Sequence, residues 1–230
     1  MRHVPLHITA LCLALAALTA RPAAQPPETG RVTGHVKLTT RLPGRPLPST
    51  AYPRRAVSVH DAPALPQILN VVVYIKDAAH GGPLTTGRTE ILQEHETFVP
   101  RTVAITRGST VDFPNGDPFF HSVFSLSRAA NFNLGRFERG QSRGREFTKA
   151  GTVKVYCDIH SHMSATILVF DHPYFTIPAL DGSFELPAVP PGEYTLVGWH
   201  ERVGEHSERI RVEAGMPTSI EMNVPVIDAP

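Results

Sequence analysis

Cysteine is nearly absent from this chain: 230 residues carry two, Cys12 and Cys157. Cys12 lies in an N-terminal segment with the features of a removable leader, so the mature chain keeps one thiol and no internal disulfide can form. Charge is sparse too. Charged residues make up 19% and the formal net charge is +1, which leaves no global electrostatic footprint for nucleic acid or an anionic membrane. Outside the leader no apolar run approaches the roughly 18 residues that a membrane-spanning helix needs. No stretch sustains a 3.6-residue period, which excludes long helices.

What the chain does contain is 41% hydrophobic residues, 22 Pro and 17 Gly, the make-up of a turn-rich β protein with a real core. Residues 1–24 supply Arg2, an apolar run from Ile8 to Leu18, and small residues at Ala20, Ala23 and Ala24. That order is a secretory signal peptide, and it predicts a periplasmic or secreted protein. Its removal takes away Arg2 and Arg21 and no acid, leaving 20 basic residues against 21 acidic ones. A lone thiol in an oxidising compartment is an oxidation liability. Cys157 is therefore expected to hold a metal or to be reactive by purpose.

Alternation predicts a strand at Arg31–Leu38, then a Pro-rich and Arg-rich extended loop over residues 41–66. Ile68–Lys76 is apolar on both faces and reads as one central strand. Short strands follow at Thr89–Leu92, Phe98–Thr106, Thr110–Phe113, Ser122–Ser125, Ser142–Phe147, Gly151–Cys157 and Ala165–Phe170. Beyond His172 come Ser183–Leu186, Glu193–Trp199, Arg209–Glu213 and Thr218–Val224, with turns at Asp181-Gly182 and around Pro190-Pro191-Gly192. Short strands at this spacing argue for antiparallel sandwiches or barrels.

The chemistry concentrates in VKVYCDIHSHMSATILVF, residues 153–170. Period-2 alternation puts Val153, Val155 and Cys157 on one face and Lys154 and Tyr156 on the other, so the cysteine points inward at a strand end. A short loop then carries His160 and Met163 back into an apolar strand. Thiolate, imidazole and thioether gathered this closely select copper over magnesium or calcium, and two His, one Cys and a weak axial Met make up the blue-copper set. The second imidazole must come from elsewhere. His121, in DFPNGDPFFHSVFS (residues 112–125), is the candidate. Other chemistries remain open for these residues: catalytic zinc with Cys and two His, or a Cys–His nucleophile and base; iron bound through the Cys would need four His around it, and Met163 with the missing His spacing argues against it. His162 competes with Met163 as a ligand, although its place beside His160 points it to solvent.

Cys157, His160 and Met163 at Cys-x2-His-x2-Met spacing, after an upstream His121 and an Asn-containing loop, resemble the cupredoxins, with a short ligand loop similar to that of the amicyanins. The runs FPNGDPFFHSVFSLS and VKVYCDIHSHMSATILVF resemble plastocyanin-like proteins of the bacterial methylamine utilization type. The resemblance covers residues 91–172. It implies a Greek-key β-sandwich or barrel, a single type 1 copper held by His121, Cys157 and His160 with Met163 axial, and electron transport between redox partner proteins without enzymatic activity. One departure is visible: Ser122 stands where cupredoxins usually place the Asn that ties the two ligand loops together.

The segment YFTIPALDGSFELPAVPPGEYTLVGWHE, residues 174–201, resembles the carboxypeptidase-regulatory-like or transthyretin-like β-sandwiches, a fold grouped with carbohydrate-binding-like modules. VTGHVKL and NVVVYIKD are similar to the opening strands of that fold. The predicted organisation is therefore a leader over 1–24, N-terminal strands and Pro-rich loop over 25–90, a cupredoxin domain over 91–172 and a second β domain over 173–230, with the first strands completing the second sandwich. All of this is an all-β chain. Copper delivery or storage, and a non-catalytic interaction or carbohydrate-binding module, are the competing functions. Phe119 and Phe120 are expected in the core, with a hydrophobic docking rim as the alternative; Trp199 is expected in the second core, and the basic run between residues 125 and 150 as a solvated face, with a docking face for an acidic redox partner as the alternative.

Overall fold

A computed structural model describes residues 29–39 and 66–225. The leader and residues 41–65 of the Pro-rich loop lie outside the described residues. The strands are β1 (Gly30–Leu38), β2 (Val72–Lys76), β3 (Arg88–Glu90), β4 (Leu92–Glu94), β5 (Thr97–Val99), β6 (Thr102–Thr106), β7 (Thr110–Pro114), β8 (His121–Leu126) and β9 (Asn131–Phe137). They continue with β10 (Ser142–Glu146), β11 (Gly151–Tyr156), β12 (Ser164–Phe170), β13 (Phe175–Thr176), β14 (Ser183–Val189), β15 (Gly192–His200), β16 (Gly204–Val212) and β17 (Pro217–Val224). Among the described residues one 3-10 turn, Gln67–Asn70, is the helical exception. The chain is all-β, and no helix among the described residues is long and apolar enough to cross a membrane.

Among the described residues five open sheets result, with strand orders β14-β1-β17, β10-β7-β3, β6-β12-β11-β8-β9, β13-β2-β15-β16 and β4-β5, and none of them closes into a barrel. The barrel alternative is thereby set aside in favour of sandwich packing. Strands β11 and β12 pair antiparallel from Gly151↔Val169 to Tyr156↔Ser164, which brings Cys157, just past β11, back against the start of β12. Antiparallel pairing of β8 with β9 and β11 sets His121 at the same end of that sheet.

Apolar residues sort into two cores. One gathers Ile91, Phe98, Val111, Phe113, Val123, Phe137, Phe147, Val153, Val155 and Ile167 together with Cys157 and Met163. The other joins Val32 and Val36 from β1 and Val73 and Ile75 from β2 with Phe184, Leu186, Leu196, Ile210, Met222 and Val224. β1 pairs with β14 and β17, while β2 pairs with β13 and β15, so the first strands lie in sheets with the last ones. Glu201, in the turn after β15, meets Arg101, Lys154 and Thr166 from the elements around the first core.

Several boundaries differ from the sequence expectation for physical reasons. Ile68–Asn70 forms a 3-10 turn after Pro66 rather than the start of a strand, and the strand begins at Val72. Phe98–Thr106 is two strands: Pro100, with no N–H to give a ladder, separates β5 from β6. β9 was not anticipated, because its apolar residues Phe132, Leu134 and Phe137 break strict alternation where the β8–β9 register shifts. Phe119 and Phe120 are exposed instead of buried. Trp199 lies outside the second core, half-buried, with the Lys154 ammonium 5.8 Å from its ring centroid.

Candidate metal centre

β8 begins at His121, and the period-2 register that buries Val123 and Ser125 buries His121 completely. β11 delivers Cys157 at its end in phase with buried Val153 and Val155, so its sulfur enters the first core. The loop that follows is closed by its own backbone: the Met163 N–H donates to the His160 carbonyl at 3.0 Å, and the Cys157 N–H to the Met163 carbonyl at 3.4 Å. His160 is carried over the sulfur and Met163 is buried in the core that contains Cys157.

Three donor atoms converge. Cys157 Sγ lies 3.9 Å from His121 Nδ1 and 3.9 Å from His160 Nδ1, and the two Nδ1 atoms are 3.1 Å apart. A trigonal ion with bonds of about 2.0–2.1 Å to nitrogen and about 2.3 Å to sulfur would set its donors roughly 3.5 Å apart for N–N and roughly 3.8 Å for N–S. His121, Cys157 and His160 therefore fit a common metal, and among the described residues theirs is the group of His, Cys and acidic side chains that does so. His162 stands apart: half-exposed, with Nε2 3.5 Å from Glu96 Oε2.

The electrostatics follow from what surrounds the sulfur. Burial opposes ionisation of the Cys157 thiol. Hydrogen bonding from His121 and from the backbone N–H groups of Ser122, His160 and Ile159 outweighs burial and brings the thiol down to about 5. Burial likewise works against charge on His121, yet hydrogen bonds to Cys157 and Asp117 hold its imidazolium above the ordinary range.

Three features were missed at the sequence level. Buried Asp117 places Oδ2 2.7 Å from His121 Nε2, and burial notwithstanding, N–H groups of Glu96, His121 and His95 keep its carboxyl below the usual carboxylate range. Asn115 braces that loop, donating to the carbonyls of Phe119 (2.9 Å) and Phe137 (3.1 Å) while accepting the Asp117 N–H (2.9 Å). Ser122 ties the two ligand loops after all: it accepts the Asp158 N–H at 2.8 Å and donates to the Asp158 carboxylate, which Arg136 also meets at 3.1 Å. A carboxylate four residues before the candidate His121 was the available signal for Asp117, since an imidazole that ligates a metal needs an acceptor for its second nitrogen.

No family model and no curated protein matches the chain. Parts of it are similar to solved structures. Amicyanin from Paracoccus versutus is 21% identical with a TM-score of 0.34, the match covering 43% of this chain and 97% of that one. The purple cupredoxin from Nitrosopumilus maritimus is 21% identical with a TM-score of 0.33, covering 36% and 99%. The copper-containing nitrite reductase from Thermus scotoductus SA-01 is 23% identical with a TM-score of 0.35, covering 47% and 27%. Each of these likenesses spans less than half of this chain.

Proposed function

We propose that this chain is an exported type 1 copper protein that carries single electrons between redox partner proteins, with one copper held by His121, Cys157, His160 and, axially, Met163. The observation that carries the reading is the meeting of three lone pairs at one point. His121 gives its Nε2–H to the ionised Asp117, so its Nδ1 offers a lone pair toward His160 Nδ1 and Cys157 Sγ, at 3.1 and 3.9 Å. Such a cluster needs a cation, and the soft thiolate with two imidazoles suits copper. When bound, copper would supply a one-electron couple between Cu(I) and Cu(II).

The chain's own residues supply a fixed cage. The β8 and β11 strands, the Ser122–Asp158 tie and the buried Asp117 hold the donors in place whatever the charge at their centre. A nucleophilic cysteine enzyme fits less well, because Cys157 is 3% exposed and leaves no approach for a substrate to its sulfur. The metal-bearing part, residues 91–172, is read as inserted into a second sandwich of the transthyretin-like kind built from 25–90 and 173–230, which the pairing of β1 and β2 with β14, β15 and β17 supports. Removal of residues 1–24 would leave the protein in the periplasm or outside the cell.

The test is the visible spectrum of protein loaded with Cu(II). An intense thiolate-to-copper band, lost in Cys157→Ser, is expected. Stoichiometric zinc binding with no colour in excess Cu(II) sinks the electron-carrier reading.

A further inference from the structure

Asp117 does two separate jobs. Its Oδ1 accepts the His95 N–H at 2.7 Å, and its Oδ2 accepts both the Glu96 N–H at 2.9 Å and the His121 Nε2–H at 2.7 Å. His95 and Glu96 form the two-residue turn between β4 and β5, with φ of 53° and 51°. Left-handed backbone at both positions is what a tight hairpin turn of this length demands, and Asn-Gly is its usual sequence. Here two residues with full side chains adopt it, a conformation that costs free energy unless something outside the turn holds it. The Asp117 carboxylate is that fastening.

The same turn reaches the other ligand loop. Glu96 Oε2 is 3.5 Å from Nε2 of His162, which lies between His160 and Met163. The β4–β5 turn is thereby in contact with both donor-bearing segments, through Asp117 to His121 and through Glu96 to the Cys157–Met163 loop.

We propose that Asp117 is a positioning residue for the metal centre: it fixes His121 as the Nε2–H tautomer and aims its Nδ1 lone pair at the donor cluster, while the β4–β5 turn holds the carboxylate in place. This rests on the copper reading. An ionised carboxylate accepts only, so the 2.7 Å contact requires the proton to be on Nε2. With the proton there, Nδ1 needs no tautomer change to receive a metal. An acceptor behind a ligating imidazole fixes the ring's rotation and raises its basicity, and losing such an acceptor typically costs about 10- to 100-fold in metal affinity.

Because Asp117 also fastens the turn, its loss must be separated from a folding defect. The double replacement His95→Asn with Glu96→Gly gives the turn its preferred residues and removes its need for the carboxylate. In that background the full metal-free chain is labelled with 15N, the tautomer of the neutral His121 ring is read by long-range ring NMR at alkaline pH, and Cu(I) affinity is measured by competition with a chromogenic chelator. The turn-repaired chain, which also gives up the Glu96–His162 contact, sets the reference affinity and should show the Nε2–H tautomer. Asp117→Ala in the same background should give mixed tautomers and an affinity lower by about 10- to 100-fold. Asp117→Asn, which keeps one acceptor oxygen and the side-chain volume, should keep the tautomer and lose less affinity. Native tautomer and reference affinity in the Ala and Asn variants, with only the melting temperature lowered, would show that Asp117 is a turn fastener and nothing more. Should the unmodified chain fail to hold Cu(I), the copper reading falls, and the His121 tautomer alone decides the role of Asp117.

Discussion

Ser122 and Asp158 are joined twice: the Asp158 N–H donates to Ser122 Oγ at 2.8 Å, and the Ser122 hydroxyl donates to the Asp158 carboxylate. Ser122 follows His121 on β8 and Asp158 follows Cys157 after β11, so this pair couples the two donor-bearing segments directly. The Ser122 amide also donates to Cys157 Sγ at 3.5 Å. The linkage that an Asn would make alone is here divided between a buried hydroxyl and a carboxylate.

Ser122→Ala should therefore act on the link and leave the backbone donor to sulfur intact. The Asp158 N–H and carboxylate both lose a partner, and a hydrogen bond to a charged group near the surface contributes about 1–2 kcal/mol. Urea denaturation of the metal-free protein should show a loss of that size, with the Cu(II) colour retained. Asp158→Asn should cost less, since it keeps the backbone half of the pair. Equal stability of Ser122→Ala and the native chain would mean that the tie is idle.

The thiol of Cys157 sets a pH dependence for the metal-free chain. Burial opposes its ionisation, but donors from His121 and the loop backbone bring it from 9.0 down to about 5. An acid with a depressed folded value contributes stability that is full above its unfolded value and is lost as pH falls through the folded one. His121 has the opposite sign: its value is raised above 6.5, so its contribution is full below 6.5 and fades as pH rises. From about 5 to 6.5 the thiol contribution grows alone, and above 6.5 the two oppose each other. Native stability relative to Cys157→Ser should rise with pH between 5 and 6.5 and then flatten. Ultraviolet thiolate absorbance persisting down to about pH 5 checks the assignment, and a thiol that titrates near 9 overturns it.

The parts of the site legible in the sequence were those set by local rules. Val153, Val155 and Cys157 share a face because a strand alternates, and His160 and Met163 follow within one loop. His121 was found by the chemistry's need for a second imidazole. Asp117 was not, because its role appears only when the β4–β5 turn, 21 and 22 residues earlier in the chain, supplies two N–H groups to the same carboxylate. Apolar runs misled where proline punctuated them: Ile68–Asn70 after Pro66, and Phe98–Thr106 across Pro100. Phe119 and Phe120 looked like core by composition, yet they sit on the loop before β8, and Phe119 stands against the rings of His121 and His160 at 5.3 and 5.5 Å. Trp199 shares a strand face with Val197, opposite the core residue Leu196, and meets Lys154 instead.

Met163 and His162 are separable by electrochemistry. Met163 is buried with Cys157, whereas His162 is half-exposed beside Glu96. A weak axial thioether tunes reduction potential without making the colour. On the copper reading proposed above, Met163→Leu should raise the potential and keep the thiolate band, while His162→Ala should move the potential little. The reverse pattern would make His162 the fourth ligand.

Glu201 is expected to matter more than any ordinary surface acid. Its carboxylate lies 3.0 Å from Arg101 Nη2, 3.6 Å from Lys154 Nζ and 3.4 Å from Thr166 Oγ1, in the turn that leads from β15 into β16. Lys154 also donates to Thr166 Oγ1 at 2.7 Å and covers Trp199, and Arg101 Nε is buried with no hydrogen-bond partner of its own. The carboxylate side chain is 17% exposed, so it is poorly screened, although its cations are 43% and 37% exposed. Removing it leaves two cations facing each other across a shared edge, with repulsion added to the lost attraction. Glu201→Ala should cost about 1–3 kcal/mol, between the values for exposed and buried pairs. Glu201→Gln, which keeps the shape and removes the charge, should recover only part of that. Glu185 is the control: its pair with Arg31 is 54% and 68% exposed, and Glu185→Ala should stay within about 0.5 kcal/mol. Urea denaturation of the three variants at low and high salt decides it. A Glu201→Ala loss no larger than that of Glu185→Ala would show that water already screens the cluster and that the packing of Tyr74, Phe170 and Phe175 holds the two sets of sheets together without it.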